Sequence, residues 1–271
     1  MPRIPALPAL CLLGCVAAHS AGVGAYEIGE TFTDALKSGG DGPKMVVIPS
    51  GRFTLGGGTP GQQNMGDIDI GYRLAFGTTE VTLGQYRQFL KAVNSPQLED
   101  LPSGGDQLPV SGISWDEAES YVIWLSRETG NHYRLPSASE WEYAARAGTT
   151  GMYFWGDDLG ENKANCLNCK SRYNGEPAPV GSFAPNGWGL YDMHGNVWEW
   201  AKDCLDSSSP PPPNGMPKLF GNCDLRELRG GSATTDGWSI RAGARASAPR
   251  KTHNPDVGMR VVMEVPREEL E

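Results

Sequence analysis

Two carboxylates, Asp192 and Glu199, stand in the stretch Asn186–Trp200, NGWGLYDMHGNVWEW, beside Trp188, Trp198, Trp200 and several glycines. Neither helical nor strand periodicity runs through it. Aromatic mass among glycines predicts a buried, irregular segment whose backbone polar groups must find partners. One partner would be a cation, because carboxylates and the carbonyls freed by turns are the hard oxygen ligands that calcium takes. The other reading is a core loop in which both carboxylates cap turns. The residues alone leave both open.

The thiols come next. Cys11 and Cys15 fall in an apolar N-terminal stretch, and Cys166, Cys169, Cys204 and Cys223 follow much later. Several pairings of the latter four can be drawn; proximity in sequence favours Cys166–Cys169 and Cys204–Cys223. A Cys-x-x-Cys can also be a redox pair or half a zinc site. There is no second Cys-x-x-Cys and no nearby histidine to complete such a site.

Met1–Gly24 lacks acids, carries Arg3 ahead of the apolar run Ile4–Ala18, and ends in small residues. Residues 1–24 therefore read as a secretory signal peptide, too short for a membrane span. Leu12-Leu13-Gly14-Cys15 offers the alternative of a lipoprotein anchored through Cys15. The protein is expected to be periplasmic or secreted, where paired cysteines persist as disulfides. The chain has 271 residues and a formal charge of −9. Removing the leader takes away an arginine and no acid, which argues against nucleic acid as a partner. With 39% hydrophobic residues, 36 Gly and 21 Pro, one loop-rich domain with a sizeable core fits the composition. No transmembrane span is expected.

These side chains need elements to hold them. Residues 25–41 read as a polar N-terminal arm, and Met45–Ile48 and Arg52–Leu55 as strands about the turn at Pro49–Gly51. Residues 59–70 read as a polar loop and Tyr72–Phe76 as a strand. Thr82–Asn94 reads as a helix, with a Thr82/Gln85 capping box and an apolar face of Leu83, Tyr86, Phe89, Leu90 and Val93. Ser114–Thr129 is a second helix, capped by Ser114 and Glu117 and closed by Gly130. Ser137 with Glu140 opens a short third one through Ala147. Ser207–Gly215, SSSPPPPNG, reads as an exposed loop. Arg226–Ser232 and Gly258–Val265 read as strands.

Five segments then stand in a telling order: GPKMVVIPSGRFTLGG (Gly42–Gly57), RLPSASEWEYAARAG (Arg134–Gly148), APVGSFAPNGWGLYDMHGNVWEW (Ala178–Trp200), LRGGS (Leu228–Ser232) and NPDVGMRVV (Asn254–Val262). Together they resemble the formylglycine-generating-enzyme-like (sulfatase-modifying factor) family, with a domain over 42–266 and a tail at 267–271. The resemblance implies a single α+β domain, a C-type-lectin-like variant with little regular secondary structure. That family includes sulfatase-activating oxidases, domains of sulfoxide synthases, periplasmic proteins of pyoverdine siderophore maturation, and proteins without a known reaction. It therefore implies a fold more firmly than a function.

Residue by residue, the resemblance implies structural calcium at Asp192 and Glu199 with the Gly195 and Val197 carbonyls. It implies a second calcium near Asn165 and Cys166, where Arg172 replaces the expected acid and Asn174 is the remaining candidate. It also places copper on two cysteines shortly after GGS. Here Thr235 and Ile240 stand in those places, and neither can replace the thiolates that copper(I) selects, so no copper site is expected. The family's groove would remain, with Thr235, Trp238, Arg241, Arg245, Arg250, His253 and Asn254 as candidates. Guanidinium groups could take an acidic group and Trp238 could stack on a planar one. The alternative is that Arg241 and Arg245 pair with Asp236 and Asp256, and that Trp238 is packing. The functional expectation is a maturation or oxidative tailoring factor, an oxidoreductase-type enzyme acting on an exported small molecule or peptide. The alternative is a non-catalytic, calcium-stabilised binding or scaffold module.

Overall fold

The computed structural model describes residues 26–56, 64–98, 104–206 and 208–265. The expected leader 1–24, with Cys15, and the tail 267–271 lie outside the described residues.

Strand β2 (Asp41–Ile48) shows how the sequence sets the architecture. Successive side chains on a strand point to opposite faces. Met45 and Val47 enter one apolar cluster, and Val46 and Ile48 enter another. The neighbouring β5 (Leu74–Gly77) repeats this, with Ala75 in the first cluster and Leu74 and Phe76 in the second. A sheet covered on both faces reads as an unbroken apolar run, which is why Met45–Ile48 shows no polar alternation. The full sheet is antiparallel, in the order β1 (Thr31–Ala35), β2, β5, β11 (Val262–Glu264), β6 (Tyr133–Arg134).

Helices α1 (Leu83–Ala92) and α2 (Trp115–Thr129) build the first cluster, where Tyr86, Phe89, Tyr121 and Trp124 pack ring against ring. Both start with the reciprocal capping boxes expected, and Gly130 ends α2 in the left-handed conformation. Helix α3 (Ala138–Arg146), capped by Ser137 and Glu140, covers the other face with Trp141 and Tyr143. Each fully buried side chain of this size contributes roughly 1.5–3 kcal/mol. A second sheet, β10 (Val257–Gly258), β7 (Trp198–Leu205), β8 (Asn222–Arg229), β9 (Ala246–Pro249), carries the residues of interest; β10 runs parallel to β7. This is a single α+β domain. Among the described residues, no helix is long and apolar enough to cross a membrane.

Several elements depart from the sequence reading. Residues 31–35, assigned to an arm, form the edge strand of the five-stranded sheet. Strand β3 (Gly51–Thr54) does not pair with β2; it pairs with β4 (Asp67–Ile70), inside the stretch read as loop. There the alternation of Ile68 and Ile70, both buried, is only two residues deep and is masked by Asp67 and Asp69 beside them. The Pro-rich segment is not a free tip. Asp69 N donates to Pro213 O at 2.8 Å, Ser137 Oγ donates to Gly215 O at 2.6 Å, and Pro211 is buried. Both disulfides, Cys166–Cys169 and Cys204–Cys223, are formed as expected.

Candidate functional site

The carboxylates of the Trp-rich stretch diverge in role. Glu199 Oε1 accepts from Arg260 Nη2 at 2.8 Å, and Oε2 accepts from Trp141 Nε1 at 2.6 Å. Arg260 spends its remaining donors on the Gly77 and Tyr191 carbonyls. Burial opposes its charge, yet Glu199 and Glu80 beside it hold its pKa above the ordinary value.

Asp192 Oδ2 accepts from Gly181 N at 2.6 Å, whereas Oδ1 is buried without a partner. Next to it, Glu80 Oε1 accepts from Asn196 Nδ2 at 2.9 Å, and Oε2 is likewise buried and unpartnered. Burial pushes the Asp192 carboxyl up to about 6 and Glu80 well above the usual carboxylate range.

The fit to calcium is therefore divided. Asp192 and Glu80 lie within hydrogen-bonding reach of each other, so a shared proton or a hard cation would serve the two oxygens that have no N–H donor. Glu199 does not fit in this arrangement, because a guanidinium already neutralises it and would repel a second cation. Among the described residues, no group of three or more His, Cys, Asp or Glu could hold a metal, so an ion at Asp192 would depend on carbonyls. Gly195 is fixed by its backbone: φ is +91° and a Cβ would lie 2.2 Å from Asn165 O.

At the second expected calcium position, Asn165 is hydrogen-bonded through both ends of its amide. Asn165 Oδ1 accepts from Ser171 Oγ at 2.7 Å, while its Nδ2 donates to Glu176 O and Asn196 Oδ1. Asn174 is exposed, and Cys166 is buried in its disulfide. A neutral hydroxyl, Ser171, stands against Asn165 Oδ1, and no acid side chain in these hydrogen bonds supplies charge for an ion.

The groove lies where β9 meets the loop that follows β8. A cleft of about 500 Å³ is lined by Met65, Trp198, Trp238, Arg241, Arg245 and Ala246, among others. It adjoins a second cavity of about 280 Å³ that shares Met65, Arg245 and Ala246 and reaches Asp203 and Lys218. Behind the cleft, the turn closed by Cys166–Cys169 pins the loop: Leu167 N donates to Thr235 O at 2.8 Å and Gly237 N to Asn168 Oδ1 at 2.7 Å. The disulfide packs with Ile240 and Tyr153. Gly231 lets the loop turn sharply, since its φ is +73° and a Cβ would meet Ile240 Cγ2 at 2.6 Å.

Of the seven groove candidates, Trp238, Arg241 and Arg245 line the cleft. Thr235 is spent on the turn, donating to Ser232 O and accepting from Ser232 N. Arg250 and His253 are corrected. They pair with Asp116 and Glu117 at the start of α2, because β9 carries the chain past the groove and Trp115 N donates to Arg250 O. Asn254 accepts from Val257 N in a turn. The expected acid partners also change. Arg245 Nε and Nη2 both reach Glu227 Oε2, at 3.0 and 2.7 Å, while Asp256 takes the hydroxyls of Ser232 and Thr234.

Among the described residues, Arg241 has no acid in contact. Its Nε donates to Trp238 O at 2.6 Å, its guanidinium stacks 3.4 Å from the Trp238 ring centroid, and Nη1 is buried without a partner. Burial lowers its pKa, with Tyr153 and Asp236 opposing. Trp238 itself is 55% exposed.

Sequence reasoning gave no site role to Glu80, Arg260 or Met65, and named Trp198 only as part of the Trp-rich stretch. Lone charges inside apolar strands and caps signalled the first two. Nothing local signals that Met65 meets a groove built from distant residues.

A family model described as the sulfatase-modifying factor enzyme 1-like domain matches residues 31–265. The chain belongs to that family. Its formylglycine-generating enzyme from Streptomyces coelicolor is 39% identical over 145 residues, 48% of this chain and 43% of that protein. The inactive C-alpha-formylglycine-generating enzyme 2 of Mus musculus is 38% identical over 162 residues, 55% of this chain and 46% of that protein. The match thus spans less than half the length of these curated relatives. PvdO from Pseudomonas aeruginosa superposes with a TM-score of 0.76 at 30% identity, covering 89% of this chain and 100% of that one.

Within this sulfatase-modifying-factor frame, β1 falls inside the domain, since the match begins at Thr31. The two places assigned to copper thiolates hold a hydrogen-bonded hydroxyl, Thr235, and a fully buried Ile240. All four described cysteines are in disulfides, so the described residues offer no thiolate. What the groove offers is aromatic surface, a thioether and one unneutralised guanidinium.

Proposed function

We propose that the chain is an exported maturation or tailoring factor that handles a small molecule or peptide in the Trp198–Trp238 groove, without a two-thiolate copper centre. The observation that carries this reading is the cleft itself. An exposed Trp238 carries an unpaired Arg241, with Thr235 and Ile240 in place of thiols. The leader-like residues 1–24 and the two disulfides support export. The likeness to PvdO along the whole of that chain agrees with the resemblance to the pyoverdine-maturation members of the family. Calcium enters the same proposal as a structural ion on Asp192 with the Gly195 and Val197 carbonyls. There it would supply the charge that the orphan oxygen lacks.

The test is a deletion strain complemented with the wild type or with Trp238→Ala, its exported products compared by mass spectrometry. The proposal expects a product lost on deletion, restored by the wild type and not by the variant at equal protein level. An exported profile that deletion leaves unchanged contradicts it. A second reading, a non-catalytic binding module, draws on the mouse relative described as inactive. It would show as an unchanged profile with a ligand or partner retained on the wild type and lost from Trp238→Ala.

A further inference from the structure

Six arginines are buried among the described residues, and four of them are matched by carboxylates. Arg260 is matched by Glu199, Arg229 and Arg146 by Glu142, and Arg134 by Glu140. In the groove, Arg245 is matched by Glu227. Arg241 is 5% exposed, has no carboxylate in contact and leaves Nη1 without any hydrogen-bond partner. Burying an unpaired charge costs far more than burying a paired one. Arg226 also lacks a carboxylate in contact, but it is packed under the Trp115 ring with Nη1 donating to Lys202 O and Cys204 Sγ, and it lines neither cavity. Arg241 is the one of the two that stands in the wall of a cleft, where an arriving group can reach it.

We propose that Arg241 is an anion receptor, and that the groove takes ligands in which a carboxylate is joined to a flat apolar body. This rests on the reading of the groove as the working site and adds the class of ligand. Trp238 holds the guanidinium flat against its ring through stacking and the Nε bond, so the free edge is preorganised. Trp198, Met65 and Ala246 supply the apolar surface around it. A singly charged group balances Arg241. A dianion such as a phosphate monoester would want a second cation, and Arg245 is already spent on Glu227. Burial also lowers the Arg241 pKa, so a bound carboxylate restores what desolvation removed.

The probes are 2-naphthoate and its neutral isostere 2-naphthamide, titrated by calorimetry into the purified full-length exported protein and into Arg241→Met and Arg241→Lys. A charge-assisted pair predicts that naphthoate binds about ten- to a hundredfold more tightly than naphthamide. Arg241→Met should erase that preference without weakening naphthamide, and Arg241→Lys should keep part of it. A tryptophan-ending peptide, with a free or an amidated C-terminus, distinguishes sources. Preference for the free terminus over naphthoate makes the natural carboxylate a peptide end, and the reverse makes it a small acid. Equal binding of acid and amide, an Arg241→Met that still prefers the acid, or no binding of either probe up to its solubility would overturn the receptor. Those results leave the complementation by Trp238→Ala untouched. Conversely, an acid-selective groove with no change in exported products would retain the receptor and remove the proposed function.

Discussion

Arg260 and Arg241 are both buried, and they teach opposite lessons. Arg260 sits under the Trp-rich stretch with its donors shared among Glu199 and two carbonyls. Arg241 sits at the groove wall with one carbonyl, one indole face and an empty Nη1. The first arrangement is closed, and an incoming group would have to break it. The second is open at the price of stability, which is where function is usually found.

The largest effect expected from this contrast is at the closed site. Arg260→Met leaves Glu199 buried with only the Trp141 indole, and breaking such a pair costs about 3–5 kcal/mol. Urea unfolding checks it. The double variant Arg260→Met/Glu199→Met should recover much of the loss, because no orphan charge then remains; a fully additive loss would mean that Glu199 is not held by Arg260.

Asp203, in the cavity that adjoins the groove, sharpens the comparison through pH. Burial, reinforced by Glu227, pushes its carboxyl up to about 7, although two backbone N–H groups favour its charge. A raised carboxyl binds its proton more tightly when folded. Its contribution is fully present below the unfolded carboxyl range near pH 4 and is lost as pH rises through about 7. Between about pH 4.5 and 7.5 the wild type should lose on the order of 3 kcal/mol relative to Asp203→Asn. Parallel unfolding curves would show that Asp203 is charged throughout.

Calcium gives a smaller effect of the mass-action kind. Added at about a hundred times its dissociation constant, it should raise wild-type stability by roughly 3 kcal/mol at most, and Asp192→Asn should abolish the gain. A gain that survives Asp192→Asn would place the ion elsewhere. Smallest is Asn168→Ala, which removes the acceptor for Gly237 N behind the groove and should cost about 1 kcal/mol in unfolding free energy. No change would mean that the Cys166–Cys169 turn does not brace the loop.

Much of the fold was legible because its signals are local. The capping boxes at Thr82, Ser114 and Ser137 placed three helices to within a residue or two. The cysteine spacing gave both disulfides. Strands β1, β4 and β9 were not legible, being short, polar or alanine-rich and held in place by partners distant in sequence. The candidate site divided the same way. Trp238, Arg241 and Arg245 were found together because they lie on the one loop that precedes β9. Arg250 and His253 follow closely in sequence but turn away to α2, and which acid each arginine takes is a tertiary fact. Glu227 lies on the neighbouring strand across from Ser247, where no spacing rule would look for it.

The most direct measurement is the thermal unfolding of Arg241→Met, without any ligand, beside Arg260→Met. Methionine keeps apolar contact with Trp238 and removes the bare charge, at the loss of the single Nε bond. If Arg241 is kept for a ligand, the melting temperature of Arg241→Met should match the wild type within about 3 °C or exceed it, while Arg260→Met falls by about 6–20 °C, at roughly 2–4 °C per kcal/mol for a chain of this size. A fall of Arg241→Met as large as that of Arg260→Met would make Arg241 a structural residue, and would contradict the account of the groove.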